Sequence, residues 1–461
     1  MLGWRAHGHA HWCRVDEGSS LRMDLMLRGL TAAVFAVLVI CCAPAEERPR
    51  RIVLITLDTL RWDAFVGDAL HPPAMPRVLA WAKQARVFRR HFAVSSSTGP
   101  THASLLTGQP PWSHGLTRNG LILAGEILTI PERLKAMGFA TGAVVASFPL
   151  HRRFGFNQGF DVYHDEFQQS FMGMQDWKGE EIPQGEFFSL ADTTTDHALA
   201  MLDAGGDGDQ FFWFHYFDPH APYGDTGKRS INVIDIVKSV EGGPERVSET
   251  LREARRLYTQ DVRFMDAQLD RLRVRLQHDE ARFDTHIVMV ADHGESFGEN
   301  GVLAHGSRVS DEQIHVPLIV WSPAIVAGIE TASTGSVDVA RAILAIAEGD
   351  TGASAILTGP IADRRVFGMR SSYVTASAEK RSDRKRVIPA GSEFFCADNL
   401  RILRGNGSGV SLEDADSVDP ALVEEVRRAF EVFEREAQAV SAEEVLDERT
   451  RAALRALGYL R

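Results

Sequence analysis

The chain has 461 residues, of which 44% are hydrophobic and 24% charged, so it can bury a large core and exceeds the usual size of one small domain. Its formal net charge of -12 argues against nucleic acid as the main partner, because phosphate backbones bind basic surfaces. The cysteines are too few for a disulfide framework; they are Cys13, Cys41, Cys42 and Cys396.

The N-terminal segment has the order of an export signal. Arg28 precedes an apolar run over residues 30–40, and small residues follow that run. The run is too short to span a bilayer comfortably, and Met23 is an alternative start. We therefore predict an exported protein, periplasmic or associated with the cell envelope, in which residues 1–49 contain the export signal and a linker. Lipidation of Cys42 and attachment to the membrane through the N-terminus are open alternatives.

Beyond Pro49 the chain alternates between strand and helix signals. "RRIVLITL" is a continuous apolar run of strand length, which is typical of a buried parallel strand. Further runs of this kind are "TGAVVAS", "QFFWFHYF", "THIVMVA" and "VPLIVWS". The helix candidates between the runs are Met75 to Arg86, Pro131 to Met137, Asp192 to Leu202 and Ser248 to Gln277. The alternation predicts an α/β sandwich with a largely parallel central sheet flanked by helices.

A smaller C-terminal unit is expected after a glycine-rich link, "GDTGASAILTGP". The later apolar segments are short and are interrupted by charge runs such as "EKRSDRKR", and the last forty residues have a helical pattern. We predict a catalytic domain over residues 50–350 and a smaller subdomain with a helical tail over residues 351–461.

Carboxylates and histidines follow three of the predicted strands. They are Asp58, then Asp218 with His220, and then Asp292 with His293. One such carboxylate is usually a helix cap or a turn residue, but ligands of parallel sheets bind at the carboxyl ends of the strands. Aspartate and histidine together suit a divalent metal, and we expect one or two ions of zinc, manganese or calcium.

Four motifs occur in a fixed order: "LITLDTLRWD", "TGPTHASLLTGQPPWSHGLTRNG", "FDPHAPYG" and "VADHGESFGENG", the last followed by "HGSRVSDEQIHVPLIVWSP". Together they resemble the alkaline phosphatase superfamily, specifically its sulfatase-like branch, over roughly residues 50–350. The resemblance implies an alkaline phosphatase/sulfatase-like fold, a metal-dependent activity and an anionic ester as substrate.

The second motif indicates a nucleophile. In sulfatases a cysteine in the pattern C-x-P-x-R becomes formylglycine, and here Thr98 stands at the cysteine position and His102 at the arginine position. Threonine cannot mature in that way, and the stretch is more similar to the T-x-P-x-H form of nucleotide pyrophosphatase/phosphodiesterases. That resemblance implies that the Thr98 hydroxyl attacks phosphorus and that Asn119 steadies the phosphoryl oxygens.

Simpler interpretations also apply to Thr98 and to two histidines. Thr98 is expected to cap a helix that begins at Pro100, where backbone N–H groups and the helix dipole would face an oxyanion. His102 either orients the leaving group or holds its loop. His215 is interpreted as a core or surface histidine.

The resemblance implies one complete metal site, formed by Asp58, Thr98, Asp292 and His293. The second residue of the metal loop in the first motif departs from the family, because Thr59 stands where sulfatases have a second aspartate.

A second metal site is less defined. Asp218 is followed by Pro222 where the phosphodiesterases have a histidine ligand. His220 is therefore either a ligand or a substrate contact. His305 either completes the second site or replaces a basic residue of sulfatases.

These motifs favour a metal-dependent hydrolase that cleaves phosphate or sulfate esters through a covalent Thr98 intermediate. A true sulfatase that uses threonine is one alternative. Another is a transferase that passes a phosphoryl group to an envelope sugar. A third is a non-catalytic protein that binds a sulfated or phosphorylated polymer.

Overall fold

The structure is a computed structural model that describes residues 48–169, 176–177, 180–181, 187–224, 230–323, 325–349, 366–370, 393–397 and 402–406. The predicted export signal, Cys42 and the helical tail lie outside these ranges. Within them, no helix has both the length and the apolar character that crossing a membrane requires.

Eight strands form the central sheet. Their bounds are β1 Arg50–Leu57, β2 Arg86–Phe92, β3 Ala140–Val144, β4 Val162–His164, β5 Gln210–Tyr216, β6 Asp284–Ala291, β7 Leu318–Trp321 and β8 Gly328–Gly335. The strands are hydrogen-bonded in the order β8-β2-β7-β6-β1-β5-β3-β4. β7 is antiparallel to both of its neighbours, and every other pair is parallel. The predicted α/β fold with a largely parallel sheet is confirmed.

Helices cover the sheet on both sides. Their bounds are α1 Trp62–Val66, α2 Pro76–Trp81, α3 Thr98–Thr107, α4 Pro111–His114, α5 Ile130–Ala136, α6 Ala191–Ala204, α7 Val233–Ser239, α8 Gly243–His278, α9 Asp311–Ile314 and α10 Ser336–Ala347. α8 buries apolar residues at helical spacing, among them Leu257, Met265 and Leu269, which explains its length in a charged sequence.

The central strands place alternate side chains in two separate cores, as the period of a strand requires. Ile52 and Trp213 lie in the core that includes residues of α3, α5 and α10. Val53 and Phe214 lie in the core that includes residues of α2, α6 and α8. Because both faces are covered, β1 and β5 are apolar almost throughout, which is why their continuous apolar runs identified them.

One predicted helix was wrong at its end. Met75 to Arg86 was expected to be one helix, but α2 ends at Trp81, a single 3-10 turn follows, and Arg86 begins β2. β2, "RVFRRHF", was missed because its arginines and exposed positions interrupt the apolar run. Short β4 and the mixed β8 were missed for the same reason.

The described part of the C-terminal region is an antiparallel sheet of three strands, Val366–Arg370, Glu393–Ala397 and Ile402–Asn406. It joins the segment after β2, because Met369 donates its N–H to the Val94 carbonyl at 2.7 Å. Phe395 also lies against Phe92, with ring centroids 6.3 Å apart. The domain boundary near residue 350 stays a prediction.

Candidate functional site

The carboxyl ends of β1 and β6 bring two buried aspartates together. Asp58 follows β1, Asp292 follows β6, and the two strands pair in parallel. His293 lies between them: its Nε2 is 3.7 Å from Asp58 Oδ1 and 3.5 Å from Asp292 Oδ2. All three side chains are fully buried. The predicted cluster at the sheet edge is therefore present in the structure.

The two carboxylates have oxygens without hydrogen-bond partners. Asp292 Oδ1 accepts the N–H groups of Thr59 at 3.2 Å and His293 at 2.7 Å, but Asp292 Oδ2 has no partner. Neither oxygen of Asp58 has one. Burial raises the pKa of the Asp58 carboxyl well above its usual value, and the nearby Asp292 adds to the shift. Burial also raises the pKa of Asp292. Such groups are costly without a positive partner.

The orientation of His293 strengthens this conclusion. Its Nδ1–H donates to the Gly294 carbonyl at 3.0 Å, so Nε2 carries the lone pair and faces the two aspartates. A lone pair and two carboxylate oxygens lie close to one another, with their atoms within 4.8 Å. These atoms repel one another unless a cation lies among them. The donor set of Asp58, Asp292 and His293 thus fits a divalent metal.

Thr98 stands beside this cluster at the start of α3. Its hydroxyl donates to His293 Nε2 at 3.2 Å, and the residue is fully buried. The predicted capping role was wrong: α3 begins at Thr98 itself, and the N-cap is Ser97, which makes no side-chain cap hydrogen bond. The hydroxyl is therefore not used by the helix, because a first-turn residue is already inside it.

Asn119 lies next to Thr98 and has a fixed orientation. Its Oδ1 accepts the Gly99 N–H at 2.6 Å, so its Nδ2 group points away from that bond, and Nδ2 is buried without a hydrogen-bond partner. Backbone donors were expected here, but Gly99 N–H is engaged and Pro100 has none. The Asn119 amide thus has a buried N–H donor without a protein partner close to the start of α3.

His102 has both ring nitrogens engaged by the protein. Nδ1–H donates to the Thr98 carbonyl at 2.9 Å, and Nε2 accepts the Thr56 hydroxyl at 3.0 Å. The Thr56 oxygen in turn accepts the Trp213 Nε1–H at 2.9 Å. Burial lowers the pKa of His102 to about 3, so the ring is neutral. Of the two roles considered for His102, this geometry favours holding the loop.

His215, interpreted from sequence as a core or surface histidine, lies at the cluster. Its Nδ1 accepts the Ala146 N–H at 3.3 Å, so the proton is on Nε2, which faces Asp58 Oδ2 at 3.5 Å. In this tautomer His215 turns an N–H toward Asp58, not a lone pair, although the two groups make no hydrogen bond. The register that pairs His215 with Thr56 brings it here, and sequence alone does not contain that register.

His220 and His305 lie on the side of His293. The ring centroid of His305 is 4.4 Å from that of His293 and 4.9 Å from that of His220. His220 Nδ1–H donates to the Ala221 carbonyl at 2.6 Å, and His305 Nδ1 contacts Glu295 Oε1 at 3.1 Å. Burial, followed by the nearby His305, lowers the pKa of His220. Sequence analysis missed Glu295, although a carboxylate just after the D-H-G motif was a signal.

Asp218 belongs to different surroundings. Its carboxyl accepts a backbone N–H from Ala191 at the start of α6, and burial together with the nearby Asp261 raises its pKa. Among the described residues, the structure has two groups of candidate metal ligands, and neither contains Asp218; they are Asp58, Asp292 and His293, and His102, His215 and Asp292. The Asp218 Oδ2 is buried without a hydrogen-bond partner. Its role as a ligand stays a prediction.

Comparisons with known proteins agree with this architecture. Residues 50–349 match the family model described as Sulfatase. The ulvan-active sulfatase of Formosa agariphila is 26% identical over 306 residues, which is 61% of this chain and 58% of that protein. The phosphoethanolamine transferase EptA of Salmonella typhimurium is 40% identical over 67 residues, which is 14% of this chain and 12% of that protein. The chain thus spans less than two thirds of the length of these relatives.

A solved structure has the same fold. The phosphonate monoester hydrolase of Silicibacter pomeroyi superposes with a TM-score of 0.59 at 21% identity, over 86% of this chain and 96% of that one. The resemblance inferred from the four motifs is confirmed. Since the family model covers residues 50–349, which hold the whole Asp58, Asp292 and His293 cluster, the chain belongs to the sulfatase family.

Proposed function

We propose that the chain is a metal-dependent hydrolase of phosphate or sulfate esters in which Thr98 is the nucleophile. The observation that carries the proposal is the Thr98 hydroxyl, which lies 3.2 Å from His293 Nε2 at the edge of a buried, unpaired carboxylate pair. Membership of the sulfatase family supports ester hydrolysis, and the absence of a cysteine at position 98 supports a direct alcohol nucleophile.

Asp58, Asp292 and His293 would hold the cation, with the Thr98 oxygen beside it. A divalent ion there would lower the pKa of the hydroxyl and offset negative charge on the ester. Because one ligand is an imidazole nitrogen, we favour zinc or manganese over calcium, which prefers oxygen ligands.

The reaction proceeds in two displacements. The Thr98 hydroxyl gives its proton to solvent and its oxygen bonds to phosphorus or sulfur, while the bond to the ester oxygen breaks and the departing alcohol takes a proton from solvent. Water then attacks the esterified threonine, which releases phosphate or sulfate and restores the hydroxyl. Asn119 Nδ2 donates to a non-bridging oxygen, and His220 and His305 lie where charge on the leaving oxygen can be stabilised.

The nucleophile is tested by Thr98→Ala and Thr98→Ser variants with aryl phosphate monoester, phosphate diester and sulfate substrates. We expect Thr98→Ala to lose activity by about 1,000-fold or more and Thr98→Ser to retain part of it. Intact-mass analysis of a rapidly quenched reaction should show one added phosphoryl or sulfuryl group in the parent and none in Thr98→Ala. An alanine variant with parental turnover would exclude Thr98 as nucleophile.

The same substrates distinguish a phosphate ester hydrolase from a threonine sulfatase and from a binding protein. Turnover of sulfate above both phosphates would favour a threonine sulfatase. Binding of the esters without turnover, and unchanged in Thr98→Ala, would favour a non-catalytic binding protein.

A phosphoryl transferase is the second candidate, and the local 40% identity to EptA favours it over a threonine sulfatase and over a binding protein. It shares the first displacement, but a sugar hydroxyl replaces water in the second. Product analysis with an added sugar acceptor decides between hydrolase and transferase: a hydrolase releases free phosphate at the same rate with and without acceptor, whereas a transferase forms a sugar phosphate ester. An exported, envelope-associated location, with or without an N-terminal membrane attachment, suits either reaction.

A further inference from the structure

Thr59 adopts a backbone conformation that threonine rarely takes. Its φ is 53°, in the left-handed region, and besides Ala304 it is the one non-glycine residue of the described chain with a positive φ. A β-branched side chain makes this conformation unfavourable, and the buried Thr59 hydroxyl has no hydrogen-bond partner that would offset it. Something else must therefore hold the residue.

The Tyr258 side chain provides that restraint. Its hydroxyl donates to the Thr59 carbonyl at 3.0 Å and accepts the Arg61 N–H at 3.0 Å, so one hydroxyl closes the turn from both sides. Tyr258 lies in α8 and is 2% exposed. Its ring packs edge-on against Phe297 with centroids 5.1 Å apart, so the hydroxyl has little freedom to move.

The turn that Tyr258 closes is connected to both carboxylates of the candidate metal site. Asp58 immediately precedes Thr59, and the Thr59 N–H donates to Asp292 Oδ1 at 3.2 Å. That bond leaves Asp292 Oδ2 as the oxygen directed toward His293 Nε2, 3.5 Å away. A relaxed Thr59 would change the course of the chain after Asp58 and disturb this arrangement.

We propose that Tyr258 is a positioning residue for the metal site: it holds Thr59 in the left-handed conformation and so keeps Asp58 and Asp292 converged. Tyr258 touches neither substrate nor metal and acts through the Asp58-Thr59 turn. The inference rests on the proposed metal-dependent function, but it concerns a residue outside the cluster and can fail independently.

The proposal makes glycine at position 59 diagnostic. Glycine adopts a positive φ without steric cost, so a Thr59→Gly turn does not need the tyrosine hydroxyl. Loss of the Tyr258 hydroxyl should therefore weaken metal binding in the parent and have little effect on metal binding in the Thr59→Gly background. If Tyr258 served only packing, its loss would have the same effect in both backgrounds.

The test is a double-mutant cycle with Tyr258→Phe, Thr59→Gly and the combined variant, each as the full chain stripped of metal and titrated calorimetrically with Zn²⁺. We expect Tyr258→Phe to weaken zinc binding by about 10-fold to 100-fold, which is typical when a residue that orients ligands is lost. In the Thr59→Gly background the same change should alter zinc affinity by no more than about twofold.

Tyr216→Phe is the matched control, because Tyr216 is also buried and its hydroxyl bonds to Thr195 at 2.9 Å and not to the turn. The Tyr216 carbonyl accepts the Asp58 N–H at 2.9 Å, and the substitution leaves that backbone bond in place. It should keep the parental zinc affinity. Equal losses from Tyr258→Phe in both backgrounds, or no loss in the parent, would overturn the positioning role while leaving the metal site intact. A parent that binds no zinc and no manganese would instead refute the metal-dependent function, and the positioning role with it.

Discussion

At the residue scale, Asp58 and Asp218 carry the same signal in the sequence but have different environments in the fold. Each follows a buried apolar strand, and both were predicted to bind metal. Asp58 has two oxygens without partners and lies 3.7 Å from His293 Nε2. Asp218 also has one oxygen without a partner, but its carboxyl accepts the Ala191 N–H at the start of α6, and among the described residues no group of candidate ligands includes it. A continuous apolar run locates the end of a strand, but it does not show which residues will surround the aspartate that follows the strand.

This difference predicts opposite outcomes for two similar variants. Asp58→Asn should weaken Zn²⁺ binding by about 100-fold or more, because it removes a ligand charge, whereas Asp218→Asn should keep the parental affinity. Metal-free Asp58→Asn should also melt at a higher temperature than the metal-free parent, because burial disfavours the ionised form of the Asp58 carboxyl and an amide does not ionise. Calorimetric zinc titration and thermal melts measure both effects. A larger loss of affinity from Asp218→Asn would restore Asp218 as a ligand.

The site residues were predictable to the extent that they lie in motifs. Asp292 and His293 follow one strand directly, and Thr98 and Asn119 lie in one continuous stretch. His215 was not identified, because its contact with Asp58 depends on the parallel register of β5 with β1. The neutral state and the two hydrogen bonds of His102 depend on burial against Thr56, which is far away in the sequence.

At the scale of elements, α3 and the loop that carries Asn119 meet at a glycine. A Cβ added to Gly99 would lie 2.8 Å from Asn119 Oδ1 and 3.2 Å from Leu116 Cδ2. This close approach explains why the first turn of α3 contains a residue of low helix propensity. The contact fixes the amide of Asn119 relative to the Thr98 hydroxyl.

We therefore expect Gly99→Ala to lower kcat by about tenfold or more, because it displaces a donor to the reacting group, and to leave zinc affinity unchanged. The protein should remain folded, since alanine favours the helix. Gly125→Ala is the control, because an added Cβ there meets nothing within 4 Å. Steady-state kinetics and zinc titration of the parent, Gly99→Ala and Gly125→Ala measure these effects. A parental kcat in Gly99→Ala would contradict the role proposed for Asn119.

At the scale of the whole molecule, several buried histidines tie stability to pH. Burial lowers the pKa of His91 and of His114 to about 3, well below the ordinary value of 6.5. The unfolded chain therefore binds more protons than the folded one between these values. The stability that these groups contribute is fully present above pH 6.5 and is lost as the pH falls toward 3.

His91 provides the cleanest test, because it lies in β2 and contacts Thr334 Oγ1 at 3.0 Å, with His315 as its charged neighbour when that ring is protonated. Near pH 5 each such histidine contributes a slope of about 1.4 kcal/mol per pH unit to the free energy of unfolding. His91→Gln should reduce the slope of the parent by about that amount. Urea unfolding at pH 7, 6 and 5 measures it, and identical slopes would refute the assignment.

The architecture was more predictable than the site. All five apolar runs proposed from the sequence are strands of the sheet. Strands buried on both faces are recognisable because nearly all of their residues are apolar. The edge region was not predictable, since β2 and β8 mix charges with apolar residues and depend on pairing partners that are distant in the chain. The apolar run of β7 also did not indicate that this strand is antiparallel to its neighbours.

The position of β7 in the sheet has a consequence for misfolding. β7 joins β2 to β6, and β6 pairs with β1. Thr98 lies in the chain after β2, and Asp58 immediately follows β1. A slip of two residues in the pairing of β7 would keep every side chain on its own face but shift one half of the sheet by about 7 Å. Misregistered molecules would thus keep an apolar core and a normal circular dichroism spectrum. The Thr98 hydroxyl and the Asp58 carboxylate, however, would be too far apart to act in one site.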